Sequence, residues 1–324
     1  MPQRTSMASI GWGSYFNPRR SFAAKLALVI TALLMVMLGA VTLITIRTVQ
    51  STLTDQIGEN FQSQAESVSD AVSLFMLEKA SELQVLASLE SVEATVAARN
   101  ASYQGSEPEI LAGIVALDQR WVNAADSDPL IEQTVASDPA SSPTGAQLTD
   151  FLAAFPAHSE VFITDRYGAT IAATGRLSDY YQADEEWWQA GWNNGSGAVY
   201  ISDPEFDESA GVTALLIAIP IFDDETNEVI GVLRSTLNVE ALFDLVGAVT
   251  FGETGYAAVL NGEGAVIYDP RQSEDAPSSL QPVASARRST DAGFTTASGT
   301  IFGYTSLAGT HANHEEDKPS RKGR

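Results

Sequence analysis

The stretch LALVITALLMVMLGAVTLITI, Leu26 to Ile46, runs for 21 residues without a charged side chain. As a helix it is long enough to cross a hydrocarbon core of about 30 Å. The run exceeds a typical signal-peptide h-region and no A-x-A-like cleavage site follows, so it reads as a retained anchor rather than a cleaved leader. Arg19, Arg20 and Lys25 precede it, and the positive-inside tendency then keeps residues 1–25 in the cytoplasm and sends everything after Arg47 outside.

The next segment inherits this constraint. From Thr48 to Asn100 there is no proline and a single glycine, Gly58. Apolar residues recur mostly in steps of three or four, at Val49, Leu53, Ile57, Phe61, Ala65, Val68, Val72 and Phe75, then at Leu83, Leu86, Leu89, Val92 and Val96. The pattern predicts an amphipathic stalk continuing from the anchor, roughly 75 Å long if unbroken. Two shorter helices meeting near Gly58 are the alternative. A stripe of this length is buried either along the outer domain as a stalk or against the same helix of a second chain, and the latter makes a homodimer the expected partner.

Charge excludes one class of partner. Residues 48–310 carry 9 basic and 38 acidic side chains, and such a surface repels nucleic acid and anionic membranes. The chain has no cysteine, which removes disulfides and thiolate chemistry and leaves the compartment open.

Helical patches follow around Ile110–Ala124 and Asp128–Ala136, and then SDPASSPTG reads as a turn-rich loop. From His158 the period changes. VFITDRYGATIAATG reads as two short strands joined at Arg166-Tyr167-Gly168. GAVYIS, VTALLIAIPIF and VIGVLRSTLNV give three more strands, the last two flanking the acidic turn DDETNE. VEALFDLVGAV is a helix or helical linker, and GYAAVL, AVIYDP and GTIFGYTSL form a smaller second strand set. The fold class expected is α+β with mainly antiparallel sheets. The last fourteen residues, HANHEEDKPSRKGR, hold seven charges, two histidines and no large hydrophobe. The strand set before them stops one strand short, so a frayed tail and a truncated or frame-shifted end both fit.

Catalysis finds little support. No H-E-x-x-H, G-x-S-x-G or P-loop pattern occurs, and GETGYAAV and NNGSGAVY are too short for a dinucleotide fingerprint. A carboxylate-only hydrolase is the one enzymatic reading left, and no metal or cofactor is expected. DPEFDES, 203 to 209, alternates acids but lacks the glycine and glutamate an EF-hand loop needs at its sixth and twelfth positions. SDYYQADEEWWQAGW, 178 to 192, concentrates three of the five tryptophans. On a helix from Asp184, Trp188 and Trp192 share one face while Trp187 points about 100° away. With Tyr180, Tyr181 and Tyr200 nearby, an aromatic pocket wall and a plain core helix both fit.

At these residues the order of features resembles the extracytoplasmic double Cache sensor domain of bacterial chemoreceptors, histidine kinases and cyclases. The likeness covers about residues 25–308 and rests on VFITDRYGATIAATG, SDYYQADEEWWQAGW, VYISDPEFDESAGVTALLIAIPIF, VIGVLRSTLNVEALFDLV and FGETGYAAVLNGEGAVIYDP. It implies two PAS-like antiparallel-sheet modules on a stalk helix, the distal one binding a small ligand, and a second span leading to an output domain. On this reading 26–46 is the anchor and 47–136 the stalk and helical cap. The distal module covers 137–240, an incomplete proximal module 241–308, and a charged tail 309–324.

Amino-acid sensors of this family carry an arginine two residues before the W-[YF] pair and an aspartate in the later G-V-x-x-x-D segment. Here those positions are Glu185 and Thr236, so neither charge partner of an α-amino acid is present. Asp184, Glu185 and Asp203, with the faces of Trp187, Trp188 and Tyr200, could hold an amine or quaternary ammonium instead. A neutral or carboxylic ligand bound by Arg234 stays open. The competing reading of the whole chain is an interaction module of the cell envelope with no small ligand.

Overall fold

The computed structural model describes residues 22–135, 140–207, 212–261, 263–271, 281–287 and 290–307. The basic flank before Phe22 and the tail after Leu307 lie outside the described residues, as does part of the DPEFDES segment. Helix α1, Phe22–Ala87, spans 66 residues, or about 100 Å at 1.5 Å per residue. Its apolar first third is uncovered, with Leu28, Leu34, Val36 and Leu38 all exposed, and it is the one described helix long and apolar enough to cross a membrane.

The helix passes Gly58 without a break. It stops instead at Ser88, where Leu89 adopts extended dihedrals and caps α2, Glu90–Ala101. Glu90 and Glu93 in the first turn of α2 complement the helix dipole there. The break lets Leu83 and Leu86 on one side and Val92 and Val96 on the other enter the same core.

Three shorter helices follow, each announced by a capping residue with proline close behind. In α3, Glu107–Asn123, Ser106 and Glu109 form a capping box. Asp128 caps α4, Pro129–Thr134, by accepting from the Leu130 N–H. Ser142 caps α5, Pro143–Ala154, by accepting from Gly145. The loop expected over SDPASSPTG thus ends in a helix start, with Ser142-Pro143 as its signal.

The fold is α+β as expected, and every pair of named strands in the central sheet is antiparallel. Strands β1, His158–Asp165, and β2, Thr170–Ala173, form the hairpin read from the sequence. After α6, Glu186–Trp192, come β3, Tyr200–Ile201, β4, Glu205–Asp207, β5, Val212–Phe222, and β6, Val229–Asn238. The order is β2-β1-β6-β5-β3, with β4 also on β5. Side chains alternate across the pleat. Val161, Ile163, Ile217, Ile219, Leu233 and Leu237 face the stalk and α5, whereas Phe162, Ala218 and Val232 face α6 and Ala173 joins the same buried cluster.

A less regular region follows β6. Helix α7, Glu240–Gly247, leads to β7, Thr250–Phe251, β8, Gly255–Tyr256, β9, Val259–Leu260, and β10, Val266–Tyr268. Helix α8, Gln281–Arg287, precedes the hairpin of β11, Ala292–Ala297, and β12, Thr300–Thr305. Residues Ser298 and Gly299 both have positive φ, as a two-residue type I′ hairpin turn requires. Strand β11 was not anticipated, because AGFTTA has one large apolar residue and no clear alternation.

This hairpin lies directly on α1. A Cβ on Gly58 would collide with the Phe294 ring, and one on Gly303 would collide with the backbone of Phe61 and Gln62. Ser69 Oγ also donates to the Ser306 carbonyl at 2.9 Å. Gly303→Ala is expected to destabilise the hairpin by about 1–3 kcal/mol, since the stalk backbone cannot give way. Gly58→Ala should cost less, because Phe294 can shift and alanine favours helix by about 1 kcal/mol over glycine. Hydrogen exchange of β11 and β12 would separate the two; equal, negligible changes would mean that the contact is not tight.

Candidate ligand site

Helix α6 owes its position to its own sequence. Asn193 takes the left-handed conformation at its C-terminus, with φ of 45°. Gly191 lets the helix lie close to the sheet, where a Cβ would come 3.0 Å from Val232. Trp188 and Trp192 stack at 5.4 Å with planes 12° apart, as their i, i+4 spacing predicts. Trp188 Nε1 donates to Thr164 Oγ1 at 2.9 Å, and that hydroxyl donates to the Val232 carbonyl. The indole of Trp188 is therefore tied into the core.

Trp187 is buried as well, edge-on to Phe162 at 5.5 Å. The guanidinium of Arg234 sits over both rings, 5.0 Å from the Phe162 centroid and 5.3 Å from that of Trp187. The Glu160 carboxylate lies 3.9 Å from Arg234 Nη1. Thr236, next on the same face of β6, is half-buried opposite Glu160 and Leu216. Tyr200 is half-buried on β3, in register with Ala218.

The acidic residues expected at the site are placed differently. Asp184 and Glu185 are exposed at the N-terminal end of α6, and Asp203 is exposed after β3. The cation resting on the Trp187 ring is the chain's own Arg234. Tyr180 is buried away from solvent, its hydroxyl accepting from Arg99 at 3.0 Å and its N–H bound by Asp118 at 2.8 Å. The nine residues named from the sequence thus divide. Trp187, Arg234, Thr236 and Tyr200 share the α6 face of the sheet, Trp188 and Tyr180 belong to the core, and the three acids lie at the surface.

Two groups of residues went unread in the sequence. The first is a buried polar cluster at the β1–β2 turn. Asp165 accepts from the Tyr103 hydroxyl and from the N–H groups of Tyr167 and Ala169, with Arg99 Nε 3.5 Å away. Burial raises the Asp165 carboxyl above its ordinary value despite these bonds. The second group lies behind the sheet. His158 is buried, with Nδ1 2.7 Å from Ser235 Oγ and Nε2 3.1 Å from Glu82 of α1. Lys79 of α1 pairs with Glu82 at 2.7 Å, and the Phe151 ring of α5 packs 5.2 Å from the imidazole.

Burial holds the His158 imidazole below its ordinary value, and Lys79 adds to this, while Glu82 opposes it. A histidine lowered in the folded state favours folding above its unfolded value of about 6.5 and loses that contribution as pH falls towards the lowered folded value. The thermal midpoint should therefore drop between about pH 7 and pH 5.5, and the drop should shrink in His158→Gln. Equal pH profiles for the two proteins would place the titration elsewhere.

The profile of the Cache domain family matches residues 47–304. The chain belongs to the Cache domain family. Among curated proteins, the methyl-accepting chemotaxis protein PscA of Pseudomonas syringae pv. tomato is 24% identical over 121 residues, 36% of this chain and 19% of that protein. The Cache chain is thus matched to about a fifth of that relative's length.

Solved structures of similar shape include the sensory domain of the Campylobacter jejuni chemoreceptor Tlp3. It is 13% identical, with a TM-score of 0.47 over 78% of this chain and 88% of that one. The ligand-binding domain of the Pseudomonas fluorescens chemoreceptor CtaA, in complex with L-isoleucine, is 14% identical, with a TM-score of 0.46 over 82% and 90%.

Proposed function

We propose that this chain is the sensing part of a bacterial signal-transduction receptor, anchored by Leu26–Ile46 with its Cache modules outside the cell. A small molecule occupies the α6 face of the distal sheet, and its binding is passed to the stalk. The observation that carries this reading is the incomplete cover of that face. Phe162, Val232 and Ala218 are fully buried beneath α6, whereas Glu160, Thr236 and Leu216, one step along the same strands, are only half-buried. Family membership over residues 47–304 supports a sensor rather than an enzyme.

The finer expectation of an amine ligand rests on Asp184, Glu185 and Asp203. All three are exposed, and Arg234 beside Trp187 speaks against it. A route to the stalk is built into β6: Arg234 and Thr236 face the site while Ser235, between them, bonds His158 and through it Glu82. Binding can bias only states it contacts differently, and a shift of β6 reaches both faces at once.

The test is a broad metabolite library screened by thermal midpoint on the full chain in lipid nanodiscs. A binder raises the midpoint in proportion to its saturation. Hits that His158→Gln leaves bound but uncoupled from stalk motion, read by spin labels on α1, would support the route. An unmoved midpoint across the library would sink the sensor reading and favour the interaction module. Dimerisation through the stalk is part of the same proposal. Leu74, Leu77 and Val85 are exposed along α1, beside an open groove of about 530 Å³ lined by Leu86, Leu89, Phe151 and Phe155. Light scattering should give a dimer that Leu77→Glu with Val85→Glu dissociates; an unchanged mass would exclude this face.

A further inference from the structure

The cluster around His158, between sheet and stalk, is built from groups that a single proton rearranges. We infer that His158 and Glu82 form a proton-operated latch, which holds the last turns of α1 on the central sheet while the imidazole is neutral and releases them on mild acidification. The inference goes beyond the sensor reading above, since the latch needs no ligand on the α6 face.

Bonding fixes the tautomer. Glu82 accepts from the Lys79 ammonium at 2.7 Å with one oxygen and faces His158 Nε2 at 3.1 Å with the other. An ionised carboxylate only accepts, so Nε2 carries the proton, and Nδ1 is left to accept from the Ser235 hydroxyl at 2.7 Å. Serine, histidine and glutamate in a row have the make-up of a hydrolytic triad, but Ser235 has no exposed surface and no substrate reaches it. The row joins three elements instead: β1 supplies the imidazole, β6 the hydroxyl and α1 the carboxylate.

A second proton on the ring breaks this pattern. Nδ1 must then donate to Ser235, whose own hydroxyl turns to the Thr236 carbonyl, 3.4 Å away and already accepting from Ser159 Oγ. That acceptor is long and shared, a poor exchange for the bond to Nδ1. The imidazolium would also form on a side chain with no exposure, where an added charge is costly. The groups that face the ring are Glu82 and Lys79 from α1, Ser235 from β6 and Phe151 from α5. Lys79 repels the new charge, and Glu82 is shared with Lys79, which also pairs with Glu78 at 3.5 Å. Glu160 and Arg234 belong to the opposite face of the sheet, on the side of Trp187.

Burial and Lys79 hold the imidazole below its ordinary value against the pull of Glu82. The latched state is therefore favoured above about pH 6.5, the ordinary histidine value, and that preference is lost as pH falls towards the lowered one. The structure also shows where the latch parts. The open groove beside it is lined by Glu82 and Leu86 of α1 and by Phe151 and Phe155 of α5, so Phe151 both walls the groove and packs on the imidazole. Separating α1 from α5 at this groove hydrates the ring, and the break at Ser88-Leu89 gives α1 a pivot just beyond Glu82.

The experiment uses the full chain in nanodiscs. The chain has no cysteine, so Gln84→Cys on α1 and Asp150→Cys on α5, both exposed, carry one pair of spin labels, diluted with unlabelled chain. Titration from about pH 7.5 to about pH 5, well below the thermal midpoint, should lengthen the label distance reversibly, with its transition below about pH 6.5. His158→Gln, which keeps a donor and an acceptor without the charge, should remove this response. Lys79→Gln takes away the repelling cation and should move the transition to higher pH, a shift that misfolding cannot mimic. A constant distance in the parent chain, a transition that survives in His158→Gln, or one that stays in place or falls in Lys79→Gln overturns the latch. The sensor reading is untouched by all three outcomes, because it is tested by ligand binding at a fixed pH.

Discussion

Replacing Asp165 with alanine lowers the stability of the protein by about 3–5 kcal/mol, the range expected when a buried polar hub is removed. Three donors lose their acceptor together: the Tyr103 hydroxyl and the N–H groups of Tyr167 and Ala169. The side chain of Asp165 has no exposed surface, so water cannot take over. Arg99, at 30% exposure, recovers part of its hydration and limits the loss. Asp165→Asn keeps an oxygen for the two backbone donors and should cost only about 1 kcal/mol. Denaturant titration of both variants is the check, and a difference below about 0.5 kcal/mol between them would mean that the cluster does not act as a hub.

Trp188→Ala is the second large effect, about 3–5 kcal/mol for a fully packed tryptophan. The change removes the stack on Trp192 and strands Thr164 Oγ1 without the indole donor. Trp188→Phe keeps most of the packing and should lose about 1 kcal/mol. The pair of variants also decides between the two readings the aromatic cluster allowed. A pocket wall would give ligand responses that change while the midpoint of the empty protein holds; a core residue would do the reverse. The burial and bonding of Trp188 favour the core. Trp187, its neighbour, is just as buried, edge-on to Phe162 and beneath the Arg234 guanidinium.

The sequence carried the frame of this molecule well, for physical reasons that can be named. Helix α1 was legible because its stripe repeats from Thr48 without proline and with Gly58 as its one glycine. The β1–β2 hairpin was legible because β-branched runs flank a glycine turn. The break at Ser88-Leu89 was hidden because neither residue is a helix breaker; two burial requirements on either side produce it. The start of α5 was present as Ser142-Pro143 and was absorbed into a run of turn residues.

The site was harder to read. Arg234 stands over Phe162 and Trp187 because β6 pairs with β1 and α6 crosses both, three segments whose meeting no local pattern announces. Asp165 likewise draws Arg99 and Tyr103 from a helix and loop some 60 residues earlier. The acids near the tryptophans in sequence do not converge on the buried ring of Trp187 in space. Helix α6 sends Trp187 inward and leaves Asp184 and Glu185 on the outside of its first turn.

The paired glycines of the stalk and the β11–β12 hairpin limit how this molecule can move. Each residue of an α-helix turns the axis by about 100°. Twisting α1 by one such step beneath the hairpin would swing Gly58 out from under Phe294 and bring a side-chain-bearing residue into its place. Gly303, pressed on the backbone of Phe61 and Gln62, blocks sliding in the same way. Helix and hairpin are keyed like a shaft in a slotted collar, so any displacement of α1 along this stretch must carry the β11–β12 hairpin with it as one body.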